Sequence, residues 1–262
     1  MGQKPPGIKP EVFAPDFIST DDHEFGGAFS PDLSEFYFNR GKDIWVTKKS
    51  DTGWITPQKA DFNSKYLDNE PAISPDNRFL FFGSKRPHKV NNYSDEYGIW
   101  MVNRKGTTWS EPTFVGPAAY LSFAADGSIY SRSIQPVYEE GCIEKTYFLD
   151  GKFSECIPQK GGIVDTPKDY LQGVHPCISA DQSFMFFVAM YQYWGNSPEL
   201  FISYREGEND WGPAINLSEV LGMKGILNPR ISPDMKYLFF YHEHDIYWVD
   251  LKFIDDLKFF PK

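Results

Sequence analysis

A short segment recurs five times along the chain, and that recurrence constrains the fold more than any other feature. Ala28-Phe29-Ser30-Pro31-Asp32 followed by Phe36-Tyr37-Phe38 returns as Ala72-Ile73-Ser74-Pro75-Asp76 with Leu80-Phe81-Phe82. Cys177-Ile178-Ser179-Ala180-Asp181 with Met185-Phe186-Phe187 and Arg230-Ile231-Ser232-Pro233-Asp234 with Leu238-Phe239-Phe240 are further copies. Ser122-Phe123-Ala124-Ala125-Asp126 with Ile129-Tyr130 is a degenerate one. The aspartates at 32, 76, 126, 181 and 234 set steps of 44, 50, 55 and 53 residues.

Each copy continues alike. A loop leads to a strand such as Asp43-Ile44-Trp45-Val46 or Asp245-Ile246-Tyr247-Trp248-Val249, and a turn then leads to a Trp-x-x-Pro strand such as Trp54–Pro57 or Trp109–Pro112. Ser-Pro-Asp supplies Ser at the first and Pro at the second position of a type I turn, a tight link between two antiparallel strands. Four-stranded units at this period are the blades of a β-propeller, whose faces bury aromatic and branched side chains against the next blade. Aromatics at 17% of the chain, with 21 Gly and 20 Pro, agree with many short strands joined by turns. The fifth unit ends without its Trp-x-x-Pro strand, while Gly7–Phe13 carries that pattern ahead of the first unit. The expected fold is therefore an all-β, five-bladed propeller of four-stranded antiparallel blades, with the N-terminal strand closing the last blade. Residues 1–262 form one domain in this reading, with blades near 24–61, 69–116, 118–161, 174–218 and 227–251 plus 7–14.

A formal charge of −10 argues against a nucleic-acid partner or an anionic lipid surface. No run of 18 apolar residues offers a transmembrane segment. The polar opening Met1–Gly7 reads as a cytosolic start or as a mature sequence behind an added Met. Cys142, Cys156 and Cys177 have neither metal-type spacing nor an even count, so they are read as ordinary residues. A short helix over 253–258 is expected to cap the last blade.

The core Ser-Pro-Asp-x-x-x-Leu-Phe-Phe, a loop and then Asp-Ile-Trp-Val resembles the PD40, or WD40-like, repeat of TolB-type propellers over residues 7–250. The resemblance implies the fold and an exported, periplasmic or secreted bacterial protein. It leaves function open, because such propellers serve as scaffolds, as peptidase gating domains and, in oligogalacturonate lyases, as metal-dependent enzymes.

Candidate site residues follow from register. The first strand of each blade lines the channel, and the position four before each Ser gives Gly26, Glu70, Tyr120, His175 and Asn228. Loops after the Phe-rich strands open on the same face, so His23, His175, His242 and His244, four of the five histidines, map to one rim with Glu24, Glu70 and Glu243. Glu70 and His175 are the candidate catalytic pair. His23, Glu24, His175, His242 and His244 are candidate ligands for one divalent metal ion in the central channel. Arg40, Arg86 and Arg132 can bind a carboxylate through their planar forks, and Tyr191, Tyr193 and Trp194 of a long loop can stack on a sugar or grip a peptide. Against these stands the reading that channel-entry polar groups only hydrogen-bond neighbouring strands and loop aromatics only pack. Two functions are carried forward. One is a monomeric binding module for a small molecule, glycan or protein; the other is a metal-dependent lyase or hydrolase acting on a sugar-like or acidic substrate.

Overall fold

The repeated segment makes the same turn in each unit. In four of them the Ser hydroxyl donates to the Asp carboxylate (Ser30–Asp32 2.6 Å, Ser74–Asp76 2.6 Å, Ser179–Asp181 2.8 Å, Ser232–Asp234 2.7 Å) and accepts the amide that opens the second strand. The residue after Asp donates its N–H to the Ser carbonyl and takes a left-handed φ, as at Leu33, Asn77, Gln182 and Met235. In the degenerate copy Ala124 replaces Ser, Gly127 takes the left-handed position, and Asp126 binds Ser128 instead.

The computed structural model describes residues 1–88, 97–132, 143–162, 170–191 and 197–259, except the side chains of 170–172, 191, 256 and 258–259. Five antiparallel sheets form a five-bladed β-propeller. The innermost strands are Glu24–Phe29, Asp68–Ile73, Ala119–Phe123, Tyr170–Ile178 and Leu227–Ile231. Each touches the next in that order, and the last touches the first, so the ring is closed. The Trp-x-x-Pro strand is split: Gly53–Trp54 and Gln58–Lys59 both pair with Asp43–Ser50, and Thr108–Trp109 and Thr113–Gly116 both pair with Gly98–Lys105. Pro57 and Pro112 lie in the gaps, where a residue without an N–H cannot continue the ladder.

Aromatic rings fill the spaces between blades. Tyr37 of blade 1 accepts from the Trp109 indole of blade 2 at 2.9 Å, and the Arg104 guanidinium lies 4.1 Å over that indole while binding Glu35 at 2.7 Å. Between blades 3 and 4 Arg205 likewise lies over Trp211, but here it is the guanidinium that donates to the Tyr130 hydroxyl, while the Trp211 indole donates to Gln159. The expected terminal helix is a 3-10 helix, Leu251–Phe259, whose Leu251, Phe253, Ile254 and Leu257 enter the core shared by blades 4 and 5.

The N-terminus closes the last blade, with Glu11 opposite Trp248, Val12 opposite Tyr247, and the Phe13 amide on the Ile246 carbonyl at 2.8 Å. Phe13 then wedges between the last blade and the first, with ring centroids 4.9 Å from Phe239, 5.2 Å from Trp248 and 5.3 Å from Phe36. Phe13→Ala should cost about 3–5 kcal/mol in urea denaturation, the usual cost of truncating a buried Phe, with a matching fall in the midpoint.

Candidate functional site

Every innermost strand carries a register shift near its entry, at Phe25/Ala28, Asn69/Ala72, Ala119/Ser122, Val174/Cys177 and Leu227/Arg230. Within each shift one residue has a left-handed φ: Gly26 64°, Glu70 54°, Tyr120 60°, His175 50° and Asn228 50°. These are the five entry positions expected from the spacing to Ser. A bulge of this kind re-aims its side chain out of the pleat. Four of the five residues are not Gly, which is unfavourable for an isolated strand and marks backbone held by its surroundings. Asn39 of blade 1 supplies part of that hold: its Oδ1 accepts the Glu70 amide at 2.8 Å and its Nδ2 donates to the Asp68 carbonyl at 2.9 Å.

The bulge residues meet on the channel axis. Asn228 of blade 5 donates to Glu70 Oε1 of blade 2 at 2.9 Å, although these blades are not neighbours. Blade 1 lies between them, and its bulge residue is Gly26, whose missing side chain leaves the path open; a Cβ there would lie 3.5 Å from the Glu70 Cα. The second Asn228 amide hydrogen faces His175 Nδ1 at 3.0 Å, which makes Nδ1 the acceptor and leaves the proton on Nε2. The Tyr120 ring lies against His175, centroids 3.8 Å apart. Tyr97 reaches in from blade 2, donating to Asn69 Oδ1 at 2.8 Å, and passes so close over Gly83 that a Cβ there would meet its hydroxyl.

Burial dominates the electrostatics. Burial raises the Glu70 pKa to about 7 against the pull of Arg230 and the Asn228 hydrogen bond. Burial lowers the His175 pKa to about 3, helped by the Arg230 and Arg132 charges, so the 3.9 Å approach of Nδ1 to Glu70 is not an ion pair. Tyr120 is pushed up to about 12 by burial and by Glu70. Within this cluster Glu70 Oε2, Arg132 Nε, and Arg230 Nε and Nη2 are buried without hydrogen-bond partners among the described residues.

The other expected site residues divide. Arg40 and Arg86 are structural: Arg40 binds Glu24 at 2.7 Å and lies over Trp45, and Arg86 binds Asp68 at 2.8 Å and lies over Trp100. These two guanidiniums, expected as ligand forks, already have carboxylate partners within the chain. Arg132, by contrast, sits in the cluster. His23 and His244 come together at the seam of blades 1 and 5, ring centroids 5.2 Å apart, while His242 packs on Tyr247. Glu24 is occupied by Arg40 and by the Thr20 hydroxyl at 2.7 Å. No three His, Cys, Asp or Glu side chains among the described residues form a metal-holding group. The expected five-residue metal set does not fit one ion. Tyr193 and Trp194 lie outside the described residues, as does the side chain of Tyr191.

Arg230 and Tyr97 were missed from sequence. Arg230 had a signal, being a long cation where the other copies have Ala28, Ala72, Ser122 and Cys177. Tyr97 ends the long blade 2 loop, where no repeat register applies.

No protein-family model matches the chain. No curated protein matches it either. Among solved structures it is similar to a protein assigned as TolB from Agrobacterium tumefaciens (TM-score 0.55, 17% identity, 84% of this chain and 70% of that one). It is also similar to TolB from Acinetobacter baumannii (TM-score 0.53, 14% identity, 87% of this chain), of which it spans 54%. A gluconolactonase from Xanthomonas campestris aligns over 94% of both chains with a TM-score of 0.52 at 9% identity. At these identities the likeness concerns the fold, which is TolB-like. No helix among the described residues is long and apolar enough to cross a membrane.

The two buried titrations act in opposite directions. A Glu whose pKa rises from 4.5 to about 7 on folding holds its proton while the unfolded chain loses it, so its contribution to stability declines from pH 4.5 to 7 and is flat above. His175, lowered from 6.5 to about 3, costs stability as pH falls through that window. Glu70→Gln should therefore gain roughly 3 kcal/mol relative to wild type between pH 4.5 and 7, and His175→Gln should gain relative to wild type below pH 6.5, both read by chemical denaturation across pH.

Proposed function

We propose that the protein is an exported binding propeller that takes a small hydroxylated acid at the mouth of its channel. The observation that carries this reading is the set of buried polar atoms without partners, Glu70 Oε2, Arg132 Nε, and Arg230 Nε and Nη2, gathered on one axis. Buried donors and acceptors are rarely left unpaired, and a ligand of matching pattern would satisfy them. Guanidinium donors suit a carboxylate. Glu70 can accept from a hydroxyl, the His175 Nε2–H can donate to one, and the Tyr120 ring offers an apolar wall. Export rests on the resemblance to TolB-type propellers, and residues 1–262 act as one domain in this reading.

The Glu70 pKa of about 7 favours a second reading, in which the same residue serves as a general acid or base on the bound molecule. That version needs no metal, since Glu70 itself would carry the proton.

Calorimetric titration with gluconate and galacturonate, beside neutral glucose and galactose, tests the binding reading. A sugar acid should bind, the neutral sugars should bind at least tenfold more weakly, and Arg132→Gln should weaken the acid about tenfold, a loss of about 1.4 kcal/mol. Absence of binding by either acid at millimolar concentration overturns it. Following the bound acid by NMR over hours separates the two readings, since turnover abolished in Glu70→Gln is the mark of catalysis.

A further inference from the structure

The other end of the channel carries a site of different character. Antiparallel register places the Ser-Pro-Asp turns at the end of the blades opposite to Glu24, Arg40 and Asp43, so the turns ring the far mouth. There a cavity of about 250 Å³ is walled by Phe29, Ile73, Phe123, Ile178 and Ile231, one from each blade. Its volume equals roughly eight waters at about 30 Å³ each, enough for a fragment-sized molecule.

One layer deeper, the equivalent positions are Ala28, Ala72, Ser122, Cys177 and Arg230. Four small side chains keep the channel open, and the fifth is the sole charged side chain in the wall among the described residues. Arg230 is 8% exposed. Its Nη1 donates to the Pro229 carbonyl at 3.0 Å, while Nε and Nη2 have no partner among the described residues. It acts electrostatically on Glu70 and His175, yet no hydrogen bond to either satisfies it. A buried guanidinium held this way, beneath an apolar funnel, matches one kind of occupant: a monoanion with a compact apolar body. In a chain of net charge −10, attraction for an anion has to come from a local group of this kind.

We propose that the Ser-Pro-Asp end of the channel is a second ligand site, which takes a small carboxylate with an apolar tail, its head group on Arg230 and its tail against the Phe29, Ile73, Phe123, Ile178 and Ile231 ring. The site does not rest on the reading of the opposite mouth, but it draws on the same Arg230 donors, Nε and Nη2, so a carboxylate held there excludes one held on Arg230 from the other mouth.

The probe is 3-phenylpropionate, paired with its uncharged amide, titrated by NMR against the whole chain. The acid should bind at least tenfold more tightly than the amide. Arg230→Gln should erase that preference, and Ala72→Leu, which fills the funnel, should weaken both probes. Arg132→Gln, at the other mouth, should leave the preference intact. Nuclear Overhauser contacts from the probe ring to the Ile73, Ile178 and Ile231 methyls give the same information should Ala72→Leu not fold. Equal binding of acid and amide, no binding at millimolar concentration, or a preference that survives Arg230→Gln overturns the proposal. Loss of the preference in Arg132→Gln with Ala72→Leu unaffected would place the probe at the sugar-acid mouth and also overturn it. Failure of gluconate and galacturonate to bind, with 3-phenylpropionate still bound in the funnel, would sink only the earlier reading.

Discussion

Closure of the ring is the constraint on which the rest depends. A four-stranded blade has two free edges and two apolar faces, and none of these can be left in water. The outer edge of the last blade is paired by a strand from the start of the chain, and Phe13 fills the aromatic junction between the last blade and the first. Joining first and last also fixes where the five inner strands stand around the axis. A hydrogen bond such as Asn228 to Glu70, between blades that do not touch as neighbours, exists because that circle is complete.

The second organising element is the left-handed residue at each inner-strand entry. It costs backbone energy at four non-glycine positions and is held by neighbours such as Asn39. In return it turns five side-chain positions toward one line. There a carboxyl and an imidazole are both driven toward neutrality by burial, and two guanidiniums keep unpaired donors. The cluster is polar in composition yet only partly satisfied internally, a condition under which a bound molecule adds to stability.

The architecture was legible because it is periodic. Five Ser-Pro-Asp-like turns and a missing final strand defined blade number and closure, and counting four residues back from each Ser located the bulge positions. That register also put Glu70 and His175 at equivalent entry positions, where Asn228 bonds to both. Less legible were features that depend on distance between blades. Nothing in the order of residues shows that Arg40 and Arg86 face Glu24 and Asp68, or that His23 and His244 meet at the seam of blades 1 and 5. Arg230 stood in plain view within a repeat, and its meaning came from its contrast with the four small residues at the same level.

Gly26 gives the site its shape. Five equivalent sockets with five side chains would form a symmetric plug; with one socket empty, Glu70 and Asn228 join across the gap, Asn228 also reaches His175, and the Tyr120 ring lies against His175. The sheets impose fivefold pseudo-symmetry, and the socket residues break it. Because each socket stands on its own repeat, its occupant can be exchanged without altering any strand register. Recognition in such a ring can therefore diverge one blade at a time, while the scaffold that presents it stays constant.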